Sequence, residues 1–286
     1  MNITASQVKE LREKTGAGIM DAKKALTEAE GDMEKAMELL RQKGIASADK
    51  KMSRIAAEGI IGSVIEGNIG AMLEVNCETD FVAKNEEFKE LVKTVATYVV
   101  KNNPADIDAL NAITMDSGVS IEEFIKEKIA KIGEKITLRR FVRVEGNVAT
   151  YIHNNKIGVL LNASAQDDVL AKDICLHIAS SAPEFVSRKE IPQSVIDEET
   201  RIEMGKEDLA NKPEQIRAKI VEGRVNKLMS QKCLLEQPFV KNPDQTIEEL
   251  IKDKFEINSF TKWNLGEGIE KKQDNFAEEV MSQINK

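Results

Sequence analysis

An internal repeat constrains the fold of this chain more than any other feature of its sequence. Residues 69–75 (IGAMLEV) align with residues 157–163 (IGVLLNA), and residues 78–84 (ETDFVAK) align at the same offset with residues 166–172 (QDDVLAK). Each copy has the pattern of a hairpin strand that is followed by a helix. The repeat therefore predicts two packed subdomains, each with a small antiparallel sheet covered by helices.

The segment before the first copy, up to about Gly44, has the pattern of three short helices. Thr4 and Gln7 have the spacing of a capping box, glycines interrupt the chain at residues 16–18, and Asp32 can cap the third helix. Because this segment contains few large apolar residues, we expect a small helical bundle that is only marginally stable by itself.

Helical patterns also dominate the regions outside the repeat. Residues 46–58 are predicted to be a linker or a helical connection, and a helix that begins at Ser120 leads into a strand at residues 136–144. Residues 193–210 and 214–230 are charged helical segments in succession. They predict an antiparallel helical hairpin.

Charge and composition exclude several classes of partner. The formal net charge is −8 and the isoelectric point is about 5.2, so the field of the whole protein repels a phosphate backbone and no direct nucleic-acid partner is expected. No apolar stretch approaches a membrane span and no signal peptide is apparent, which predicts a cytoplasmic protein. Cys77, Cys175 and Cys233 lie far apart without metal-ligand spacing, which indicates reduced thiols.

The motifs of nucleotide binding and catalysis are missing from the sequence. It contains neither G-x-x-x-x-G-K-[ST] nor a G-x-G-x-x-G that follows a strand. His153 and His177, the only histidines, show no metal-ligand spacing and have no nucleophile motif beside them. We therefore expect no bound nucleotide, metal or other cofactor, and an enzyme is the weaker hypothesis.

Residues 79–85 (TDFVAKN) resemble the signature of the elongation factor Ts family. Further matches, which follow the order and spacing of that family, are residues 15–18 (TGAG), 21–26 (DAKKAL), 130–134 (AKIGE), 237–240 (QPFV) and 266–271 (GEGIEK). The resemblance extends over the whole chain.

This resemblance implies an α+β fold built from modules. The implied segments are an N-terminal three-helix module like a ubiquitin-associated domain that binds the GTPase elongation factor Tu (1–54), core subdomain 1 (55–145), the first part of core subdomain 2 (146–186), an inserted antiparallel helical hairpin (187–232), the second part of core subdomain 2 (233–265) and a C-terminal helical module (266–286). Each core subdomain is expected to contain one small antiparallel sheet with helices.

The resemblance also implies a function, which is guanine-nucleotide exchange in translation elongation. Members of the family bind the GDP form of elongation factor Tu and open the magnesium and phosphate end of its nucleotide site. The residues that match the exchange motif are Thr79, Asp80, Phe81 and Val82. Phe81 is the main candidate because the second copy of the repeat has Val169 at that position; the competing interpretation is a core aromatic residue that covers the sheet.

Other partner contacts are implied in the same way. Arg12, Ile19, Met20 and Lys23 match positions through which the first module holds the GTPase domain, whereas His153 and Val240 match contacts to its far domain. The competing interpretations are a Met20 packed between helices and a His153 that is an ordinary hairpin-edge residue. A homodimer, or a heterotetramer with elongation factor Tu, stays open. So do two other classes of function, a scaffold without exchange activity and an enzyme with an unrecognised site.

Overall fold

The computed structural model describes residues 3–269, and these form a mixed α+β fold with small sheets, as predicted. The helices are α1 (Ala5–Thr15), α2 (Ile19–Glu28), α3 (Met33–Lys51), α4 (Asp80–Lys84), α5 (Glu86–Asn102), α6 (Ile107–Asn111), α7 (Ile121–Ile132), α8 (Asp168–Ser181), α9 (Gln193–Met204), α10 (Glu214–Lys232) and α11 (Ile247–Ile251). The strands are β1 (Glu58–Glu66), β2 (Ile69–Cys77), β3 (Ile136–Glu145), β4 (Asn147–His153), β5 (Ile157–Ala163), β6 (Pro238–Phe239), β7 (Asn242–Thr246) and β8 (Ile257–Asn264).

The three N-terminal helices begin where the sequence predicts. The Thr4 side chain accepts the N–H of Gln7, and the Gln7 side chain accepts the N–H of Thr4, which completes the capping box of α1. Asp32 caps α3 by accepting the N–H groups of Glu34 and Lys35. The core of this bundle is small, as expected. The buried residues that form it in the described part of the chain are two leucines and four alanines: Leu11, Ala22, Ala25, Leu26, Ala29 and Ala36.

Helix α3 is longer than the predicted third helix. It continues through Gly44 to Lys51, so the start of the connection at residues 46–58 is helical. Helix α3 packs against α7, where a Cβ atom added to Gly44 would lie only 2.9 Å from the Cβ atom of Ala130. Glycine at this position therefore permits a close approach of the two helices.

The predicted repeat is visible as equivalent elements. Strand β2 lies in a sheet of order β1-β2-β3, and β5 lies in a sheet of order β4-β5-β8 whose pairings are antiparallel. A helix follows each strand, with its N-cap at Thr79 in the first copy and at Asp167 in the second. The copies differ at Asn85, which ends α4 and caps α5, whereas α8 continues without a break.

The inserted hairpin is formed by α9 and α10, which pack against each other as predicted. Its apolar core contains Leu209, Val221, Val225 and Met229. Within residues 3–269, no helix has the length and apolar character that crossing a bilayer requires.

The contacts within the chain group it into two compact units. Unit 1 comprises Met1–Ile61, Leu73–Phe141 and Leu265–Lys286, and unit 2 comprises Gly62–Met72 and Val142–Asn264. Unit 1 includes the N-terminal bundle, which the sequence assigns to a module of its own at residues 1–54. The predicted bounds of the six segments stay predictions. The C-terminal helix expected after the Gly266-Glu267-Gly268 motif lies outside the described residues.

The buried carboxylate of Glu74 fixes the main chain at Gly266. Glu74 on β2 is fully buried; its Oε1 atom accepts the N–H of Gly266 at 2.8 Å and a bond from Arg139 at 2.8 Å, while its Oε2 atom accepts from Arg140 at 2.6 Å. Burial opposes ionisation of Glu74, but Gly266 and the two guanidinium groups together outweigh it and lower its pKa. Gly266 has φ +69°, and a Cβ atom there would lie 2.7 Å from the carbonyl oxygen of Ala57.

We predict that Glu74→Ala lowers the free energy of unfolding by about 3 kcal/mol, because it leaves the charges of Arg139 and Arg140 without their buried partner. Urea denaturation at neutral pH measures this. The control is Glu66→Ala at the exposed end of β1, which we expect to stay within about 0.5 kcal/mol of the wild type. Equal small losses in both variants would contradict the assigned role of Glu74.

Candidate functional site

Thr79 holds the start of α4 by bonds in two directions. Its hydroxyl accepts the N–H of Val82 at 3.4 Å, which is the N-cap bond of the helix. The same hydroxyl donates to Glu134 Oε1 at 2.7 Å, and the Thr79 N–H donates to Glu134 Oε2 at 3.0 Å. Both oxygens of one carboxylate therefore bind a single residue of the predicted exchange motif.

The residues immediately before Thr79 are also held. Glu78 Oε1 accepts the N–H of Lys135 at 2.6 Å and pairs with Arg54 at 3.1 Å. Cys77 is buried and donates its thiol hydrogen to the carbonyl of Thr79, with 3.1 Å between the sulfur and oxygen atoms. Burial, with a further contribution from the negative charge of Glu134, raises the pKa of Cys77 to about 12, so the thiol stays protonated and remains a donor.

Phe81 projects into solvent from the first turn of α4. The residue is 81% exposed, so the interpretation as a core aromatic residue is wrong. Its neighbour Asp80 pairs with Lys84 at 2.6 Å. In the second copy of the repeat Val169 is 76% exposed, so outward placement is a property of both copies and only the aromatic ring is particular to the first.

The far end of α4 is held through the first turn of α5. Glu87 Oε1 accepts from Lys128 at 2.7 Å and from Lys131 at 2.9 Å, and both lysines belong to α7. The hydrogen bond from Lys128 is the main cause of a lowered pKa at Glu87, and Lys131 adds to it. Since Glu134 follows α7 directly, the end of α7 contacts the chain on both sides of α4.

The candidate residues of the N-terminal bundle are all exposed. Ile19 and Met20 begin α2 and are 58% and 64% exposed, so the interpretation of Met20 as a residue packed between helices is wrong. Lys23 lies one turn further along α2, near Ile19, and Arg12 lies in the last turn of α1. These side chains are available for a partner, and their role stays a prediction.

His153 is the last residue of β4 and is exposed. Its Nδ1 atom lies 3.1 Å from the Tyr151 hydroxyl, and its Nε2 atom lies 3.2 Å from the side-chain nitrogen of Asn154. With hydrogen on Nδ1, the ring donates to the Tyr151 hydroxyl and accepts from Asn154 through Nε2. His153 is thus an ordered strand-end residue, and its partner contact stays a prediction.

Val240 lies between β6 and β7, and buried His177 of α8 holds its main chain. The N–H of Val240 donates to His177 Nδ1 at 3.2 Å, so the ring hydrogen lies on Nε2 and is donated to Gln237 Oε1 at 2.8 Å. Lys241 pairs with Asp173 of α8 at 2.6 Å. Val240 itself remains 42% exposed.

The exchange motif and the candidate residues of α1 and α2 belong to unit 1, whereas His153 and Val240 belong to unit 2. Three anchoring residues had no predicted role: Glu134, Glu87 and His177. The signal for Glu134 was its place at the end of the matching residues 130–134, but no local spacing relates that motif to Thr79. The only sequence signal for His177 was that it is one of just two histidines in the chain.

Exposed apolar side chains on firmly held backbone are typical of surfaces that bind other proteins. The described residues thus define a protein of α+β class with a duplicated core that presents exposed apolar side chains on firmly held backbone. The family model described as Elongation factor TS matches residues 78–267, which is more than half of the chain, so the chain belongs to the elongation factor Ts family of translation elongation factors. The predicted family is confirmed, and the match includes the exchange motif, His153 and Val240.

His177 predicts a dependence of stability on pH. Burial lowers the pKa of His177, and the hydrogen bond to Gln237 opposes this only in part. The ring therefore stays neutral in the fold while the unfolded chain takes up a proton, so stability is lost as pH falls below about 6.5. We expect wild-type stability in urea to fall between pH 7.5 and pH 5.5, and to fall less in His177→Gln.

His153→Gln is the matched control, because it removes the other histidine from an exposed position. We expect this variant to lose as much stability as the wild type over the same pH interval. A His177→Gln variant with an unchanged pH dependence would show that the buried ring is not the group responsible.

Proposed function

We propose that this chain is a guanine-nucleotide exchange factor that binds elongation factor Tu in its GDP form and promotes GDP release so that GTP can bind. The observation that carries this proposal is Phe81, an exposed aromatic ring within the family-matched region, on a short helix held at both ends. A ring that must displace part of another protein requires such a rigid support.

Release follows from the way GDP is held. A diphosphate and its Mg²⁺ are bound by many backbone N–H groups and oxygen ligands with strict geometry. When Phe81 is inserted beside that site, a small displacement of its walls breaks several of these contacts together. Asp80 and Val82 lie beside the ring in this complex, and Asp80 places a carboxylate near the Mg²⁺ ion that is bound with GDP.

Exchange of this kind makes and breaks no covalent bond, so we propose that the chain acts without enzymatic chemistry and without a cofactor. Binding of the factor and of GDP are linked: if the factor weakens GDP binding by a given ratio, GDP weakens binding of the factor by the same ratio. The factor accelerates the approach to nucleotide equilibrium and does not change that equilibrium. GTP then displaces the factor by the same linkage.

The remaining candidates supply affinity in this proposal. Ile19 and Met20, with Arg12 and Lys23 beside them, bind the GTPase domain, while His153 and Val240 bind the far domain. The factor works in the cytoplasm, binds elongation factor Tu rather than free nucleotide, membrane or nucleic acid, and can assemble as a homodimer or as a heterotetramer with its partner.

The test is a substoichiometric amount of the chain added to elongation factor Tu loaded with fluorescent GDP. We predict rapid GDP release by the wild type and a loss of about tenfold or more in Phe81→Ala, because truncation of an interface aromatic residue commonly costs about 2 kcal/mol or more. The thermal midpoint should stay close to that of the wild type, since the ring is exposed. Val169→Ala is the matched control from the second copy and should retain the wild-type rate.

The alternatives give different results in this assay. A scaffold without exchange activity would bind elongation factor Tu and leave the rate of GDP release unchanged. Equal losses in Phe81→Ala and Val169→Ala would remove the assignment of exchange to the first copy. A large fall in the melting temperature of Phe81→Ala with normal exchange per folded molecule would also contradict it.

The division between affinity and exchange predicts a second result. The double variant Ile19→Ala/Met20→Ala should raise the concentration needed for half-maximal stimulation by about tenfold, because it removes exposed apolar contacts remote in sequence from Phe81. The rate at saturating factor should stay near that of the wild type. Point variants are preferred to truncation at Gly44, which would divide α3 and uncover α7.

A titration of GDP-release rate against factor concentration makes this measurement. Met52→Ala, which truncates another exposed apolar residue of unit 1, is the control and should leave the titration unchanged. If saturation with the double variant fails to restore most of the rate, Ile19 and Met20 take part in exchange itself.

A further inference from the structure

We propose that Glu134 is a positioning residue for nucleotide exchange, which acts by fixing Thr79 and thereby the orientation of Phe81. This inference rests on the proposed function. It adds a residue without an assigned role, distant in sequence from the exchange motif, as a determinant of the exchange rate.

The first step of the argument concerns the Thr79 hydroxyl. A hydroxyl group can rotate, and it caps a helix only when its lone pairs face the helix N–H groups. Glu134 Oε1 accepts the hydroxyl hydrogen at 2.7 Å, which leaves the lone pairs of Thr79 free to accept the N–H of Val82. Glu134 therefore orients the cap as well as binding it.

The second step concerns the main chain. Glu134 Oε2 accepts the Thr79 N–H at 3.0 Å, so the same carboxylate fixes the backbone where β2 leads into α4. A charged acceptor that makes two bonds to one residue gives shorter and more directional contacts than a neutral group. Phe81 follows two residues later, and its direction depends on that backbone.

The third step concerns the length of α4. A helix of five residues has little stability of its own, so its orientation is set by the groups that bind its ends. One end is bound through Thr79 and Glu134, and the other through Glu87 and the α7 lysines Lys128 and Lys131. Loss of Glu134 would remove both bonds to the N-cap residue Thr79, and only the bonds of Cys77 and Glu78 would still hold the chain at that end.

The second copy of the repeat shows what changes when the cap differs. Asp167 replaces Thr79 and caps α8 by accepting the N–H of Leu170 at 3.0 Å. A carboxylate has no hydrogen that must be oriented, so this cap needs no acceptor beside it. The pairing of a threonine cap with Glu134 thus belongs to the copy that carries Phe81.

The test compares maximal rate with half-saturating concentration in the GDP-release assay. Glu134→Ala and Thr79→Val should each lower the maximal rate by about tenfold while changing the half-saturating concentration less than about twofold. Misplacement of the Phe81 ring lowers the rate of GDP release, whereas the contacts that supply affinity are unchanged. Thr79→Ser keeps the hydroxyl and should restore most of the rate. Thr79→Val also serves if Glu134→Ala fails to fold.

A second measurement reports position independently of activity. Hydrogen exchange of the Thr79 and Val82 amides, followed by NMR, should be faster in Glu134→Ala than in the wild type. Asp167→Ala removes the equivalent cap of α8 and is the matched control; it should keep the wild-type maximal rate and the wild-type exchange of these two amides.

The outcomes separate the inference from the proposed function. A wild-type chain that does not accelerate GDP release from elongation factor Tu overturns the proposed function and, with it, the role of Glu134. An active wild type with undiminished maximal rates in Glu134→Ala and Thr79→Val overturns the inference alone. An equal loss of maximal rate in Asp167→Ala would also overturn it, because the effect would then reflect general destabilisation.

Discussion

The two hydrogen bonds from Thr79 to the carboxylate of Glu134 are the contacts on which the candidate site depends. They fix the start of a helix that is too short to orient itself, while Glu87 fixes the next helix through lysines of α7. Helix α7 also packs against α3 at the close approach of Gly44 to Ala130. One helix of unit 1 is therefore packed between the N-terminal bundle and the elements around Phe81.

The Val240 segment of unit 2 uses the same principle with different chemistry. A side chain from another element holds the main chain of a segment, and the apolar side chain of that segment stays exposed. In unit 1 the anchor is the half-buried carboxylate of Glu134, which binds Thr79, whereas in unit 2 it is the buried neutral ring of His177, which accepts the N–H of Val240. Interface residues held in this way lose little conformational freedom on binding, so more of the contact energy remains for the partner.

Much of this fold could be predicted from the sequence because its signals are local. The capping boxes at Thr4 and Ser120 and the aligned repeat gave the correct elements. The full length of α3 was less evident, because its last turns are defined by packing on α7 rather than by an amphipathic pattern. The break at Asn85 carries no glycine or proline. Exposure of Phe81 followed from the repeat, but its anchor did not, since Glu134 and Thr79 meet only after folding.

The central claim is that Glu134 and Phe81 act as one unit in nucleotide exchange, and a double-mutant cycle tests it most directly. Maximal GDP-release rates would be measured for the wild type, Phe81→Ala, Glu134→Ala and the double variant. If Glu134 acts by positioning the Phe81 ring, replacing Glu134 has little further effect once the ring is absent. The double variant then stimulates GDP release from elongation factor Tu at nearly the same rate as Phe81→Ala. Losses that multiply in the double variant would show that the two residues act independently, which would contradict the account.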